Sequence, residues 1–595
     1  MTPRALLTRV LLAVLVLVIL AISPADRKAR LRTNEVQAEP LLKDMQRLKE
    51  QVNQTDHQAL FSAKTTAIAS GSPLAIAQAN APLSTEAQAR AAVVMELWLT
   101  RLDPETGLMP TSIEPPLKQF VYGDTGADLL PHFGIAVNLL SPDRFGLILD
   151  MLNNERQLTT GVPETIDLDL NREISMDPDG AIFGAAEYVK DGLLPLMERL
   201  GPDPWLGRAR EVVDTILATA NVPTQKHGNV SANSTEVNGD MLQNLARLYW
   251  GTREPRYLEA ADRMALTYLE DVLPKTTYLP PNQWNFMENE PIGRRRLRLS
   301  DHGNEVISGL VEWHVIESAL QRPGVAIHRQ AIRRMLDRIL ETGRNEDGMW
   351  LRVIEIPSGK VEQPGLTDSW GYVFQAFLAQ AAIERQFPDG DVAVAERYEA
   401  AAQRALQALP KYRNYAWEGG QMDGYADALE SDIYMLNVLV EPAAAEWLDD
   451  QIGVLFSFQR SDGTVLERDL DGNFIRTALL YSAWLTRGAR LAPWSPDVDL
   501  GAAVDGDCTV FALSSSADWD GRLVFDTPRS RLNMQMPIDY PRLNKWPEWL
   551  VVESDKAYQV TGALGSGTAL GSELAQGVAL HLGQGESASL RFCPT

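Results

Sequence analysis

The feature that most constrains this chain is an alternation of two kinds of helix. A polar turn holding Gly and acidic residues opens a mostly apolar helix, and a more charged amphipathic helix follows. The first kind is YGDTGADLLPHFGIAVNLL, SMDPDGAIFGAAEYV, STEVNGDMLQNLARLYW, SDHGNEVISGLVEW, LTDSWGYVFQAFLAQAA, QMDGYADALESDIYMLNVL and DGNFIRTALLYSAWL. The second includes WLGRAREVVDTILATA, RYLEAADRMALTYLEDVL, AIHRQAIRRMLDRILETG, AERYEAAAQRALQAL and AEWLDDQIGVLFSF. A helix that is apolar nearly all round must be covered on several sides, whereas a striped helix keeps one wet face. Alternating the two along a chain makes concentric layers, apolar inside and striped outside. Anchored on Asp124, Asp179, Asn238, Asp301, Asp368, Asp423 and Asp471, the repeat runs from 48 to 67 residues. That is too irregular for a solenoid of identical units. The expected fold is mainly α: an α/α toroid of six or seven helical hairpins over residues 84–493, with every polar turn at one mouth.

Other elements flank or interrupt this region. The opening MTPRALLTRVLLAVLVLVILAIS carries Arg4 and Arg9 before an apolar run, Val10–Ile22. As a helix that run covers roughly 20 Å, short of a bilayer core of ~30 Å. A signal peptide ending near Ala25 fits it best, with an uncleaved membrane anchor as the alternative. The body of the protein is expected to be exported, in the periplasm or outside the cell. Residues 26–83, rich in small residues, read as a flexible or partly helical tether, and ordered structure is expected from a capping-box pattern at Ser84. Two inserted hairpins are expected at 348–362 and 463–474.

Beyond about Trp494 the period changes to two, in CTVFAL, GRLVFD, WLVVES, AYQVTG, VALHLG and ASLRFC. Residues 494–595 should form a small β-sandwich. Cys508 and Cys593 fall near its two ends. A bridge between them would close a loop of about 85 residues, worth about 4–5 kcal/mol in the chain-entropy model, and an exported protein favours the bridge over two thiols.

The net charge of −24 opposes binding to phosphate backbones over the whole surface, so nucleic acid is not an expected partner. No G-x-S-x-G, P-loop or dinucleotide fingerprint is present. No close His or Cys set suggests zinc. DLDLNRE (167–173), DPDG (177–180) and DLDGN (469–473) are oxygen-rich and would suit a structural Ca²⁺, but none has EF-hand spacing. No cofactor is expected, and oligomeric state is not legible.

An α/α toroid followed by a β-domain in an exported chain resembles the six-hairpin glycosidase superfamily of hydrolases, sugar epimerases and toroid-bearing polysaccharide lyases. The resemblance covers roughly residues 84–595 and is architectural. Seven candidate hairpins rather than six, and a β-domain smaller than that of the lyases, are departures from it. It implies an enzyme acting on carbohydrate, and such folds host several reactions.

Hydrolysis of a glycosidic bond needs two carboxyl groups, one protonated and one acting as base or nucleophile. Acids at helix N-termini are also favoured as caps, so most of those at the mouth are structural. Three turns carry more than caps. In SDHGNE, Asp301 and Glu305 flank His302, and in LTDSWGY, Asp368 sits beside Trp370 and Tyr372. In YAWEGGQMDGYADALE, Trp417, Asp423 and Tyr425 make the same combination of acid and ring.

The expectation is that Asp301 and Asp368 supply acid and base, with Asp423 as substitute and His302 orienting one of them. Trp284, Trp370 and Trp417 would stack sugar rings, helped by Tyr122, Tyr372 and Tyr425, with Asp124 and Glu305 as further polar contacts. Arg295, Arg296 and Arg476 would meet a uronic acid or sulfate on the substrate, because the guanidinium fork matches such anions. The nearest alternative is a lyase or epimerase on the same toroid. The alternative from another class is a non-catalytic glycan-binding protein of the cell envelope.

Overall fold

The computed structural model describes residues 38–595, apart from 112–117, 175, 301, 302, 304, 466–470 and 564. The expected signal or anchor segment, residues 1–25, therefore lies outside the described residues. So do Asp301 and His302. No described helix is long and apolar enough to cross a membrane.

Of the flexible or partly helical tether expected at residues 26–83, the helical part is present where the chain is described and the flexible part is not. Helix α1 (Ala38–Gln54), α2 (His57–Ser70) and α3 (Pro73–Leu99) follow one another with almost no gap. Helix α3 begins at the Ser72 cap, whose hydroxyl accepts from the amide of Ala75, so Ser84 lies mid-helix rather than at a start. The small residues that suggest a linker serve close packing instead. A Cβ on Gly501 would stand 2.2 Å from Ala77 O and 2.4 Å from Ala81 N. That contact lays α3 flat on a sheet of the C-terminal domain, where Asn80 donates to Ala502 O at 2.8 Å.

The alternation of helices builds a closed double ring. The inner layer is α4 (Leu130–Leu140), α6 (Pro178–Glu187) continued by α7 (Leu194–Leu200), α9 (Thr235–Thr252), α11 (Glu305–Leu320), α13 (Trp370–Gln386), α15 (Met422–Val438) and α17 (Asp471–Leu485). Each packs on the next, and α17 returns to α4. The outer layer is α3, α5 (Phe145–Leu158), α8 (Trp205–Thr219), α10 (Pro255–Leu266), α12 (Val325–Thr342), α14 (Val392–Ala408) and α16 (Pro442–Ser457). Among the described residues this is a toroid of seven helical pairs, with α3 filling the outer position between the last inner helix and the first.

Glycines in two of the polar turns have a packing reason. A Cβ on Gly239 would lie 2.3 Å from Val306 N, and one on Gly472 would lie 2.1 Å from Asp128 O. Neighbouring inner helices thus meet backbone to backbone at the mouth. Where α4 and α6 begin or continue, the backbone widens into π-helical turns, Tyr122–Leu129 and Tyr188–Leu193. Such turns recur at functional sites because they re-aim side chains.

The expected hairpin at 348–362 forms as Leu351–Glu355 paired with Val361–Leu366, and Arg296–Arg298 adds a third strand. The one at 463–474 lies partly outside the described residues. An isolated bridge joins Gln459 to Val465, residues 466–470 lie outside the described residues, and Asp471 already begins α17.

In the C-terminal domain a five-stranded sheet (Val498–Asp505, Cys508–Ser515, Ser587–Pro594, Ala557–Gly562, Gly565–Leu570) faces a three-stranded one (Arg490–Ala492, Trp519–Val524, Val578–Leu582). Phe511, Phe525, Phe592, Leu523 and Leu580 fill the space between them. WLVVES makes only a bridge at Val551. Cys508 and Cys593 are joined by a disulfide, with Cα atoms 4.3 Å apart. A structural disulfide accords with an oxidising compartment. Between these strands, residues 529–549 leave the sandwich, and Met534, Met536, Tyr540 and Trp546 join the core of the toroid.

Candidate functional site

The N-terminal turns of the inner helices surround a cavity of about 810 Å³. Asp124 and Asp128 enter it from the π-turn before α4, and Glu187 and Asp191 from the junction of α6 and α7. Glu305 comes from α11, Asp368 from the turn before α13, Asp423 and Asp427 from α15, with Glu418 just upstream. Asn473 and Arg476 come from α17. The three-stranded sheet beside the mouth contributes Arg296, Arg298, Arg352, Val353 and Gln363. The cavity is thus a ring of carboxyl groups with arginines along one wall.

One side of the ring is organised by a buried lysine. Lys190 has no exposed surface, and its Nζ lies 2.9 Å from Asp240 Oδ1, 3.0 Å from Glu187 Oε1, 3.0 Å from Glu305 Oε1 and 3.2 Å from Asp191 Oδ2. Four carboxyl groups around one ammonium cannot all be ionised without strong repulsion. Burial raises Asp191 and Asp240 well above the usual carboxylate range, and Glu187 and Glu305 push both further the same way. The Lys190 ammonium is itself held protonated: burial opposes its charge, and its four acidic neighbours outweigh that.

The opposite side is organised by Arg476. Its Nη2 donates to Asp427 Oδ1 at 2.7 Å and reaches Glu430 Oε2 at 2.9 Å, and its Nη1 donates to Asn473 Oδ1 at 2.9 Å. Asn473 in turn donates to Asp423 Oδ1 at 2.6 Å. Tyr372 and Tyr434 both donate to Glu430. Burial, then the charge of Asp427, pushes Asp423 well above the ordinary range. Burial raises Asp128 as well, with Asp191 and Asp423 the largest charge contributions. Asp368 moves less, to about 6, through burial and the nearby Asp427, while its Oδ1 accepts from the amide of Ser369 at 3.0 Å.

Of the expected site residues, the structure brings Asp124, Arg296, Glu305, Asp368, Tyr372, Asp423 and Arg476 into this one cavity. The aromatic platform is corrected. Trp284, Trp370 and Trp417 are at most 1% exposed and line no part of the cavity. Trp284 donates to Asn289 at 3.2 Å, and Trp417 packs edge-on against Tyr415 and Trp447 between the two helical layers. Tyr122 is also core. Its hydroxyl donates to Glu155 at 2.8 Å in a buried cluster with Tyr188 and Arg208. Tyr425 leans on Phe458, and Arg295 is exposed outside the cavity. Phe183 and Tyr372 are the aromatic residues of its lining among the described residues.

The sequence does not single out Lys190, Glu187, Asp191, Arg352 or Asn473 as site residues. It gives no hint of Leu543 and Asn544, which reach the cavity from the C-terminal domain. Among the described residues no group of three or more His, Cys, Asp or Glu is arranged to hold a metal ion.

No protein-family model matches the chain, and no curated protein matches it. Solved structures with a similar course include a cellobiose 2-epimerase from Spirochaeta thermophila. It has 13% identity and a TM-score of 0.37 over 68% of this chain and 98% of that one. An α-1,6-mannanase from Salegentibacter has 12% identity and a TM-score of 0.34 over 55% of this chain and 87% of that one. A D-mannose isomerase has 12% identity and a TM-score of 0.35 over 54% and 86%. At such overlap the site has to be read from its own residues.

Proposed function

We propose that the protein is an exported glycoside hydrolase acting on an oligo- or polysaccharide. The observation that carries the reading is the split environment of two acids lining one cavity. Burial and the neighbouring Asp427 push Asp423 well above the ordinary carboxylate range, which favours its protonated form, and Asp368, at about 6, is mostly ionised at neutral pH. Hydrolysis needs this division, with one carboxylic acid protonating the leaving oxygen while a carboxylate takes a proton from water. Asp423 is assigned the acid and Asp368 the base. Asn473 positions Asp423 through their hydrogen bond.

Arg296, with Arg298 and Arg352 on the same wall, suits a uronate or sulfate on the substrate. Among the described residues the lyase alternative has less support, because the tyrosine lining the cavity, Tyr372, donates to Glu430 and burial pushes its phenol well up. That leaves it a poor base.

The test is reducing-end release from neutral and acidic oligosaccharides, with absorbance at about 230–240 nm followed in parallel for an unsaturated product of general-base elimination. Reducing ends that appear without absorbance, and that vanish in Asp423→Asn and Asp368→Asn, support hydrolysis. A rising absorbance would replace it with elimination.

A further inference from the structure

The ring of inner helices would by itself leave a bore running through the toroid. Residues 533–546 of the C-terminal domain fill its far end. Arg542 clamps the carboxylate of Glu198, with Nε donating to Oε2 at 3.0 Å, and Tyr540 donates to Glu312 Oε2 at 3.2 Å. Arg247 donates to both oxygens of Glu312, and Asn533 donates to Glu198 O at 2.6 Å. These anchor points share one level. Glu312 follows Glu305 on α11 by the same interval as Arg247 follows Asp240 on α9, two helical turns or about 10 Å below the carboxyl ring. The segment is part of the toroid core, and from it Leu543 and Asn544 face the cavity as its floor.

We infer that the site takes the end of a sugar chain rather than its interior, because the C-terminal domain closes the bore beneath the carboxyl ring. This rests on the hydrolase reading and narrows its substrate to a chain terminus, with units removed singly or in pairs. The walls argue the same way. Among the described residues the inner helices pack on one another all round, and the three-stranded sheet stands along one side of the cavity.

The test uses the full chain and four oligosaccharide series, xylo-, cello- and manno-oligosaccharides and oligogalacturonates, from monomer to hexamer. Binding is measured by titration calorimetry on Asp423→Asn, and cleavage by the wild type on chains labelled at the reducing end. The expected result is an affinity that levels off by the disaccharide, with products that shorten stepwise from one end. Affinity that keeps rising to the hexamer, or internal fragments in the first turnovers, overturns the closed-floor inference and leaves the hydrolase reading standing. If no series is bound or cut, the hydrolase reading falls and this inference with it. Leu543→Ala, a change at a half-buried floor position that should fold, is expected to shift the levelling point towards longer chains. An unchanged levelling point in that variant would also count against the floor.

Discussion

Asn473 donates to Asp423 at 2.6 Å, so the last inner helix fixes a carboxyl oxygen carried by the helix before it. The contact crosses the seam of two helical pairs and makes the acid of one depend on the other.

The first prediction follows from the two acids. Asp368 must be ionised to act as base, so kcat/KM should rise with pH through about 6. Asp423 must stay protonated, which gives a falling limb on the alkaline side. Asp423→Asn should lower kcat by about 10²–10⁴, the usual span of general acid catalysis, and remove the alkaline limb. A pH–rate profile of parent and variant checks both.

Replacing Lys190 with Met should destabilise the fold by about 3–5 kcal/mol, since it leaves buried carboxyl groups without their cation. Asp191 and Asp240 have folded-state values raised above those of the unfolded chain, so the folded state binds more protons and stability falls as pH rises from about 4. In the parent the ammonium offsets part of that loss. The variant's Tm should therefore drop more steeply between pH 5 and 8 than the parent's.

Gly472→Ala should cost about 1–3 kcal/mol or more, because its new Cβ would meet the backbone of Asp128, which cannot swing aside. At Gly207, on outer helix α8, an added Cβ would find no neighbouring atom within 4 Å. Gly207→Ala should therefore gain about 0.5–1 kcal/mol. Paired thermal melts give the sign of each.

Loss of the 508–593 bridge in a Cys508→Ser, Cys593→Ser variant should cost about 4–5 kcal/mol on the chain-entropy scale. Chemical denaturation with and without reductant would show the parent, and not the variant, responding to reduction.

The double ring is legible in the sequence because periodicity reports how many faces of a helix are dry, and the polar turns mark its mouth. Asp368, Asp423 and Arg476 emerge on that basis. Trp370 is misplaced for the same reason. An inner helix is dry both towards the bore and towards the outer layer, and pattern alone cannot say which side a ring near its first turn will take. Lys190 resembles a solvated charge within YVKDG until the neighbouring helices surround it with acids. Leu543 and Asn544 carry no local signal, since only tertiary structure brings a loop of the last domain beneath the first. Residues 73–83 read as a linker because small side chains build little core, yet small side chains are what let a helix lie against Gly501.

Helix α3 packs most heavily on α17 and on the sheet that begins at Val498, so its main partners are made about 400 residues after it. At ribosomal rates of about 5–20 residues per second the wait is roughly 20–80 s. Completion of the barrel therefore waits on the strands Val498–Asp505 and Cys508–Ser515, which act as its clasp.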